Sequence, residues 1–184
     1  MESTIWNLED ARKYHIHSEG LAHWLRKNLS RHFPVIDFGC GPAYYLSHLH
    51  DEGFTVEGYE GTPGINDIAF YTPIHVADIT EPIDSSQGHV LCLEVMEHIS
   101  ADKEEAALQN ITNACSHTLV LSWAVPGQPG HGHINCRTPK YVIDKLGEYG
   151  FHVNFLQTID ARAAAITNPH TRFFGDTLYI FNRV

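Results

Sequence analysis

Asp37, Glu60, Asp78 and Glu94 each follow a short apolar run, so a sheet would set four acids at four strand ends. Burying one carboxylate without a partner is costly, and four in succession argue for hydrogen bonding to a ligand rather than packing. The first lies in Val35-Ile-Asp-Phe-Gly39-Cys-Gly41-Pro, which reads as a buried strand running into a tight glycine turn. Gly39 and Gly41 permit positive φ and let backbone N–H groups approach a bound molecule. Glu60 comes about 20 residues later, the spacing of a ribose-binding acid in nucleoside-cofactor sites. A dinucleotide fingerprint wants a third small residue in the turn, and Tyr44 stands there instead. Asp37 is also poorly placed beside an anionic pyrophosphate. The set suits a ligand that combines hydroxyls with an ammonium or sulfonium charge.

The histidines offer a second chemistry, since imidazole takes a proton near neutral pH. His131 and His133 lie in the glycine- and proline-rich run Pro126 to Asn135, a loop with special backbone geometry. They are candidates for a general base or an acceptor contact, and with His98 they could bind a metal. Loop scaffolding is the alternative, and no metal ligand is assigned. His98 itself, in Glu97-His98-Ile99, reads equally as an active-site or a structural residue. His15 and His17 either cap the pocket or form a solvated lead-in to the first helix. The tryptophans Trp6, Trp24 and Trp123 read as core or pocket wall.

Positioning these residues requires alternating elements. Leu21, Trp24, Leu25 and Leu29 recur at helical spacing, which predicts a helix over 18–31. Strands are expected at 35–38, 55–59, 73–77, 89–93, 118–125, 151–156 and 178–182. Helices are expected at 43–51, at 103–115 with Ala106, Leu108, Ile111 and Ala114 buried, and from Thr138 with Pro139 in its first turn. This alternation predicts an α/β fold, a doubly wound Rossmann-like sheet of seven strands with helices on both faces. No helix is evident between the last two strands, so the final strand is expected to return antiparallel. Residues 1–184 form a single domain in this reading, with 1–34 as a helical cap. Residues 157–177, with Arg162, Arg172, Phe173 and Phe174, are a candidate substrate lid.

The carrying segments Val35-Ile-Asp-Phe-Gly-Cys-Gly-Pro, Gly58-Tyr-Glu60, Ala77-Asp-Ile79 and Leu93-Glu-Val-Met-Glu-His-Ile99 resemble the class I S-adenosylmethionine-dependent methyltransferases. The resemblance spans residues 35–184. It implies S-adenosyl-L-methionine as cofactor, with Asp37, Gly39 and Gly41 along its methionine and ribose portion. Glu60, with Gly61 beside it, would bind the ribose hydroxyls. Asp78 would accept from the adenine amino group, Ile79 would pack on the ring, and Glu94 would lie near the methionine end. The glycine-rich stretch Gly61-Thr-Pro-Gly64 departs from the family and leaves the next helix undefined.

Composition narrows the partners. A formal charge of -10 opposes bulk contact with a phosphate backbone, so nucleic acid is disfavoured. No apolar run is long enough to span a bilayer, and Met1-Glu-Ser-Thr-Ile lacks the features of a signal peptide. The four cysteines, Cys40, Cys92, Cys115 and Cys136, form no CxxC pair and read as reduced thiols of a cytoplasmic protein. The expected acceptor is a small molecule, methylated on oxygen or nitrogen. A protein or nucleic-acid acceptor, or a non-catalytic cofactor-binding module, is the alternative.

Overall fold

A computed structural model describes residues 5–184; the leader reading at Met1–Thr4 lies outside the described residues. Seven strands form one sheet in the order β3-β2-β1-β4-β5-β7-β6. They are β1 (Val35–Phe38), β2 (Val56–Glu60), β3 (His75–Val76), β4 (Gly88–Leu93), β5 (Cys115–Ser122), β6 (Phe151–Val153) and β7 (Leu178–Arg183). The pairs among β1 to β5 run parallel, and β7 lies antiparallel between β5 and β6. The expected doubly wound sheet with an antiparallel last strand is therefore the observed one.

Strand alternation sends side chains into two separate cores. Val35, Leu91 and Val120 face α2 (Glu19–Asn28), α3 (Tyr44–Asp51) and α6 (Phe155–Ala165). Ile36, Phe38, Val90, Cys92, Leu119 and Leu121 face α4 (Glu104–Ala114) and α5 (Pro139–Glu148). Both faces of the central strands are thus covered, which is why those strands read as unbroken apolar runs.

The helix starts follow their capping chemistry. Ser18 Oγ accepts the Leu21 N–H and opens α2, while Thr138 Oγ1 accepts the Tyr141 N–H and opens α5 one residue before Pro139. Helix α2 stops at Asn28 rather than running to Arg31. In α4 the buried alanine is Ala107, not Ala106. Strand β5 spans 115–122, earlier than the expected 118–125, and β3 and β6 are each shorter than expected.

Two expectations about connections are overturned. The segment between β6 and β7 contains a helix, α6, capped by Asn154 and followed by a short helix α7 (Phe174–Thr177). It escaped the periodicity because it buries small residues, Thr158, Ala161 and Ala165, while Phe155, Leu156 and Ile159 point to solvent. Between β2 and β3 there is no α-helix, only a single 3-10 turn at Ile65–Asp67. An additional helix, α1 (Leu8–Tyr14), precedes α2; Asn7 caps it by accepting from the Glu9 and Asp10 N–H groups.

Candidate active site

Strand β1 delivers Asp37 and then breaks into the turn. Gly39 has φ +73° and Gly41 has φ +53°, a region that favours glycine. A Cβ at Gly39 would fall 2.4 Å from a Val95 methyl, and one at Gly41 would fall 2.3 Å from His15 Nε2. The amides of Gly39 and Cys40 both donate to Tyr59 O, at 2.8 and 3.1 Å, which pins the turn to β2. The close helix–strand approach that a third turn glycine would serve is met from the other side, by Gly58 of β2. A Cβ there would fall 2.7 Å from Leu46 Cδ1 of α3.

The strand ends converge on one cavity of about 310 Å³, within the range of cofactor sites. Asp37, Gly39, Glu60, Gly61, Asp78, Ile79 and Glu94 all line it, as do His98, His131 and His133. Gly41 is not in the wall; its N–H donates to Glu60 Oε2 at 2.9 Å. Glu60 Oε1 accepts from the Thr62 amide at 3.0 Å and hydroxyl at 2.8 Å, so the carboxylate is held rigidly at the end of β2. Asp78 is oriented the same way, its Oδ1 accepting from the amide and hydroxyl of Thr80 at 2.9 and 2.8 Å.

The carboxyls differ in charge state. Burial, and secondarily the charge of Glu60, pushes Asp37 up to about 8, so it is largely protonated at neutral pH. Burial also raises Glu94, opposed by bonds such as the one it accepts from Gln128 Nε2 at 2.9 Å. Glu94 has φ +53°, a left-handed conformation that a non-glycine residue adopts at a cost of roughly 1–3 kcal/mol. Its amide donates to Ser122 Oγ at 2.8 Å, which stabilises the bend at the end of β4. Glu97 is fully buried, and burial raises it well above the usual carboxylate range, with Glu94 adding to the effect.

The histidines occupy one side of the same cavity. Burial lowers His98 to about 4, so its ring is neutral, and its Nδ1 lies 3.1 Å from Gly132 O. His133 places Nδ1 3.3 Å from Gln128 O and Nε2 3.9 Å from Glu97 Oε1. His131 stacks on Tyr14 at 4.4 Å, and its Nε2 lies 3.7 Å from Asp10 Oδ2 of α1. The loop carrying both histidines is clamped at its far end. Asn135 Nδ2 and the Arg137 guanidinium all donate to Glu104 Oε2, at 2.7 to 3.0 Å, and Trp123 Nε1 donates to Asn135 O at 2.7 Å.

Trp6, expected as core or pocket wall, is pocket wall, and Tyr14 and Gln128, which had no role of their own in the sequence reading, join it. Trp6 lies just before the Asn7 cap of α1, Tyr14 ends that helix, and Gln128 comes from the loop after β5. The Asn7 cap followed by Glu9 and Asp10 is the local signal that marks α1. His15 and His17 line the cavity, with His17 stacked on Tyr44 at 3.6 Å. Trp24 and Trp123 belong to the cores. Of residues 157–177, Phe173 and Phe174 reach the cavity, whereas Arg162 turns inward and donates to Leu178 O at 2.8 Å. Cys40, Cys92 and Cys115 are buried thiols and Cys136 is half-buried; all four are free.

No protein-family model and no curated protein matches the sequence. Solved structures do match. Magnesium protoporphyrin IX methyltransferase from Synechocystis PCC 6803, with SAH bound, is 19% identical over 90% of this chain and 81% of that one, with TM-score 0.66. A TehB-like SAM-dependent methyltransferase from Corynebacterium glutamicum is 17% identical over 94% and 90%, with TM-score 0.66. SAM-bound CalS10, an amino pentose methyltransferase from Micromonospora echinaspora, is 14% identical over 100% of both chains, with TM-score 0.64. The chain has the fold of the class I S-adenosylmethionine-dependent methyltransferases.

Proposed function

We propose that the protein is an S-adenosylmethionine-dependent methyltransferase acting on an oxygen or nitrogen of a small-molecule acceptor. The observation that carries this reading is the convergence of Asp37, Glu60, Asp78, Ile79 and Glu94 with the Gly39 backbone on one cavity. These residues fit the cofactor. The Gly39 backbone lines the cavity, and the turn has no room for a side chain at Gly39 or Gly41 because Val95 and His15 pack against it. Trp6 Nε1, buried and without a protein partner, supplies a donor for a ligand. When bound, the cofactor supplies an electrophilic methyl group whose transfer leaves the bonding electron pair on sulfur.

The protein's part is binding and alignment. Glu60 takes the ribose hydroxyls, Asp78 the adenine amino group, and Ile79 packs on the ring. Asp37 and Glu94 face the methionine portion. The acceptor enters beside Gln128, His131 and His133, where these walls hold its nucleophilic atom in line with the methyl group. Alignment at about 3 Å supplies much of the acceleration in such a transfer. An acceptor hydroxyl gives its proton to His131 or His133; the Asp10 carboxylate near His131 stabilises the imidazolium that forms. A neutral amine attacks first and loses its proton afterwards to the same group or to water.

Titration calorimetry with S-adenosylmethionine, with its demethylated product and with NAD tests the cofactor. Binding of the first two and not the third is expected, and a folded protein that binds neither of the first two refutes the reading. Incubation with methyl-labelled cofactor and pooled amines, sugars and hydroxy acids tests the acceptor class. His131→Ala and His133→Ala variants that both keep full turnover across pH 6 to 8 would remove the base.

A further inference from the structure

We propose that Glu97, His98 and His133 form a binding site for one divalent transition-metal ion, with Glu94 beside it, in the wall of the cavity. One ligating atom from each of the three side chains lies within 4.8 Å of the others. Glu97 and His98 are neighbours in a single 3-10 turn, Met96–His98, after β4. His133 comes from the loop after β5, and the two segments are tied together. The amides of Ile134 and Asn135 both donate to Glu97 O, at 2.8 and 3.0 Å.

A second observation points to a missing cation. Glu97 is fully buried, and no donor meets its carboxyl oxygens at full hydrogen-bond geometry; its nearest polar neighbours are the Glu94 carboxyl and the amides of Glu97 and Ala124. Oε1 of Glu94 likewise accepts from no N–H or hydroxyl group, and the two carboxyls face one another. Buried polar atoms are nearly always fully paired, and two facing buried carboxyls with too few donors are completed either by a shared proton or by a cation. No lysine or arginine is paired with either acid among the described residues, and His133 Nε2 lies 3.9 Å from Glu97 Oε1. A metal ion satisfies the carboxylate and uses both imidazoles.

The imidazoles are prepared for this. The Nδ1 atoms of His98 and His133 face the backbone carbonyls of Gly132 and Gln128. A ring that donates through Nδ1–H to a carbonyl carries its lone pair on Nε2, the usual arrangement behind a metal-ligating histidine. Two imidazole nitrogens and a carboxylate suit zinc, cobalt, manganese or iron rather than calcium or magnesium, which prefer all-oxygen shells. Ligands about 2.1 Å from a tetrahedral ion stand roughly 3.4 Å apart, so the three side chains close inward as the ion enters. His98 and His133 border the cavity, so an ion held there is open to it. Its role rests on the methyl-transfer reading: with His133 ligating, His131 is the remaining histidine base, and an acceptor hydroxyl on the ion would be more acidic, which lightens the demand on it.

The test is metal binding by the full chain, stripped with chelator and titrated with Zn²⁺ in the calorimeter and with Co²⁺ by visible absorption. One ion per chain is expected, with micromolar or tighter affinity, d–d bands for Co²⁺ and no displacement by millimolar Mg²⁺ or Ca²⁺. Glu97→Gln and His133→Ala should each weaken binding at least 100-fold, while His48→Ala on the exposed face of α3 should leave it unchanged. Glu97→Gln keeps the side-chain shape and removes a buried acid, so it is expected to fold; circular dichroism checks this. No stoichiometric binding, or binding that survives both Glu97→Gln and His133→Ala, overturns the proposal. In that case Glu94 and Glu97 are simply carboxyls that share protons. A chain that binds Zn²⁺ but no S-adenosylmethionine keeps the metal site and loses the methyl-transfer reading; the converse loses only the metal site.

Discussion

Glu60 shows what a single residue contributes to the proposed cofactor site. Its carboxylate accepts from Gly41 and Thr62 through three hydrogen bonds, which fill most of its acceptor capacity and fix the remaining lone pair toward the cavity. Glu60→Ala is expected to weaken S-adenosylmethionine by about 1–3 kcal/mol, because the ribose hydroxyls and the Gly41 N–H both lose a charged partner. Calorimetry measures this directly, and unchanged affinity removes the assignment. Asp37 makes a pH-dependent prediction. It ionises near pH 8 in the free protein, and a ligand bearing ammonium and sulfonium charges binds better to its ionised form. Affinity should therefore rise between pH 6 and 7.5, by up to about tenfold per unit, and the rise should vanish in Asp37→Asn. A flat profile in the wild-type protein places the methionine portion elsewhere.

At the scale of elements, α1 and the 126–137 loop close the cavity from two sides. Trp6, just before α1, packs edge-on against His98 at 5.2 Å and against His131 at 5.9 Å, and Tyr14 of α1 stacks on His131, so this N-terminal segment is coupled to the histidines. Trp24 and Trp123 are buried away from the cavity. Cofactor binding should consequently change tryptophan emission through Trp6 alone, and Trp6→Phe should abolish the change. A signal that persists in that variant would mean that binding perturbs the cores. The loop depends on Glu104, a buried carboxylate of α4 that takes bonds from Asn135, Arg137 and Tyr141. Removing one member of such a buried network typically costs 3–5 kcal/mol when a charge is stranded. Arg137 is partly exposed, so Glu104→Ala is expected to cost less, about 2–3 kcal/mol by urea denaturation. It should lower kcat more than it weakens cofactor binding, since it displaces the histidine loop and leaves the strand-end acids in place.

For the whole molecule, the buried acids link folding to pH. Asp37 has a folded value near 8 against 3.8 in the unfolded chain, so between those values the folded state holds more protons and stability falls as pH rises. His89 acts oppositely below its unfolded value of 6.5, because burial lowers it to about 4 and the unfolded chain takes the proton first. Above pH 6.5 the histidine contribution is complete and the acid dominates. The ligand-free protein should lose about 1.5 kcal/mol from Asp37 alone between pH 6.5 and 8, measured by urea denaturation at both values. Asp37→Asn should remove that share of the slope and leave the part that the raised Glu94 and Glu97 carboxyls contribute, and an unchanged slope would show that Asp37 is ionised throughout.

The sequence by itself determined the sheet, the glycine turn and the order of the strand-end acids. These are local matters: apolar runs of strand length, glycines that tolerate positive φ, and acids at set distances from both. Tertiary structure decided what depends on distant segments meeting. Helix α6 was illegible because it packs small residues against α2 and leaves its large ones in solvent, the reverse of the usual amphipathic signal. Gly58 does the work expected of a third turn glycine because Leu46 crosses β2 at that point. His98 and Glu97 were visible as neighbours in the chain, but only the folded loop brings His133 to them. Burial, which no local pattern records, set the Glu97 carboxyl against that of Glu94 away from any lysine or arginine among the described residues.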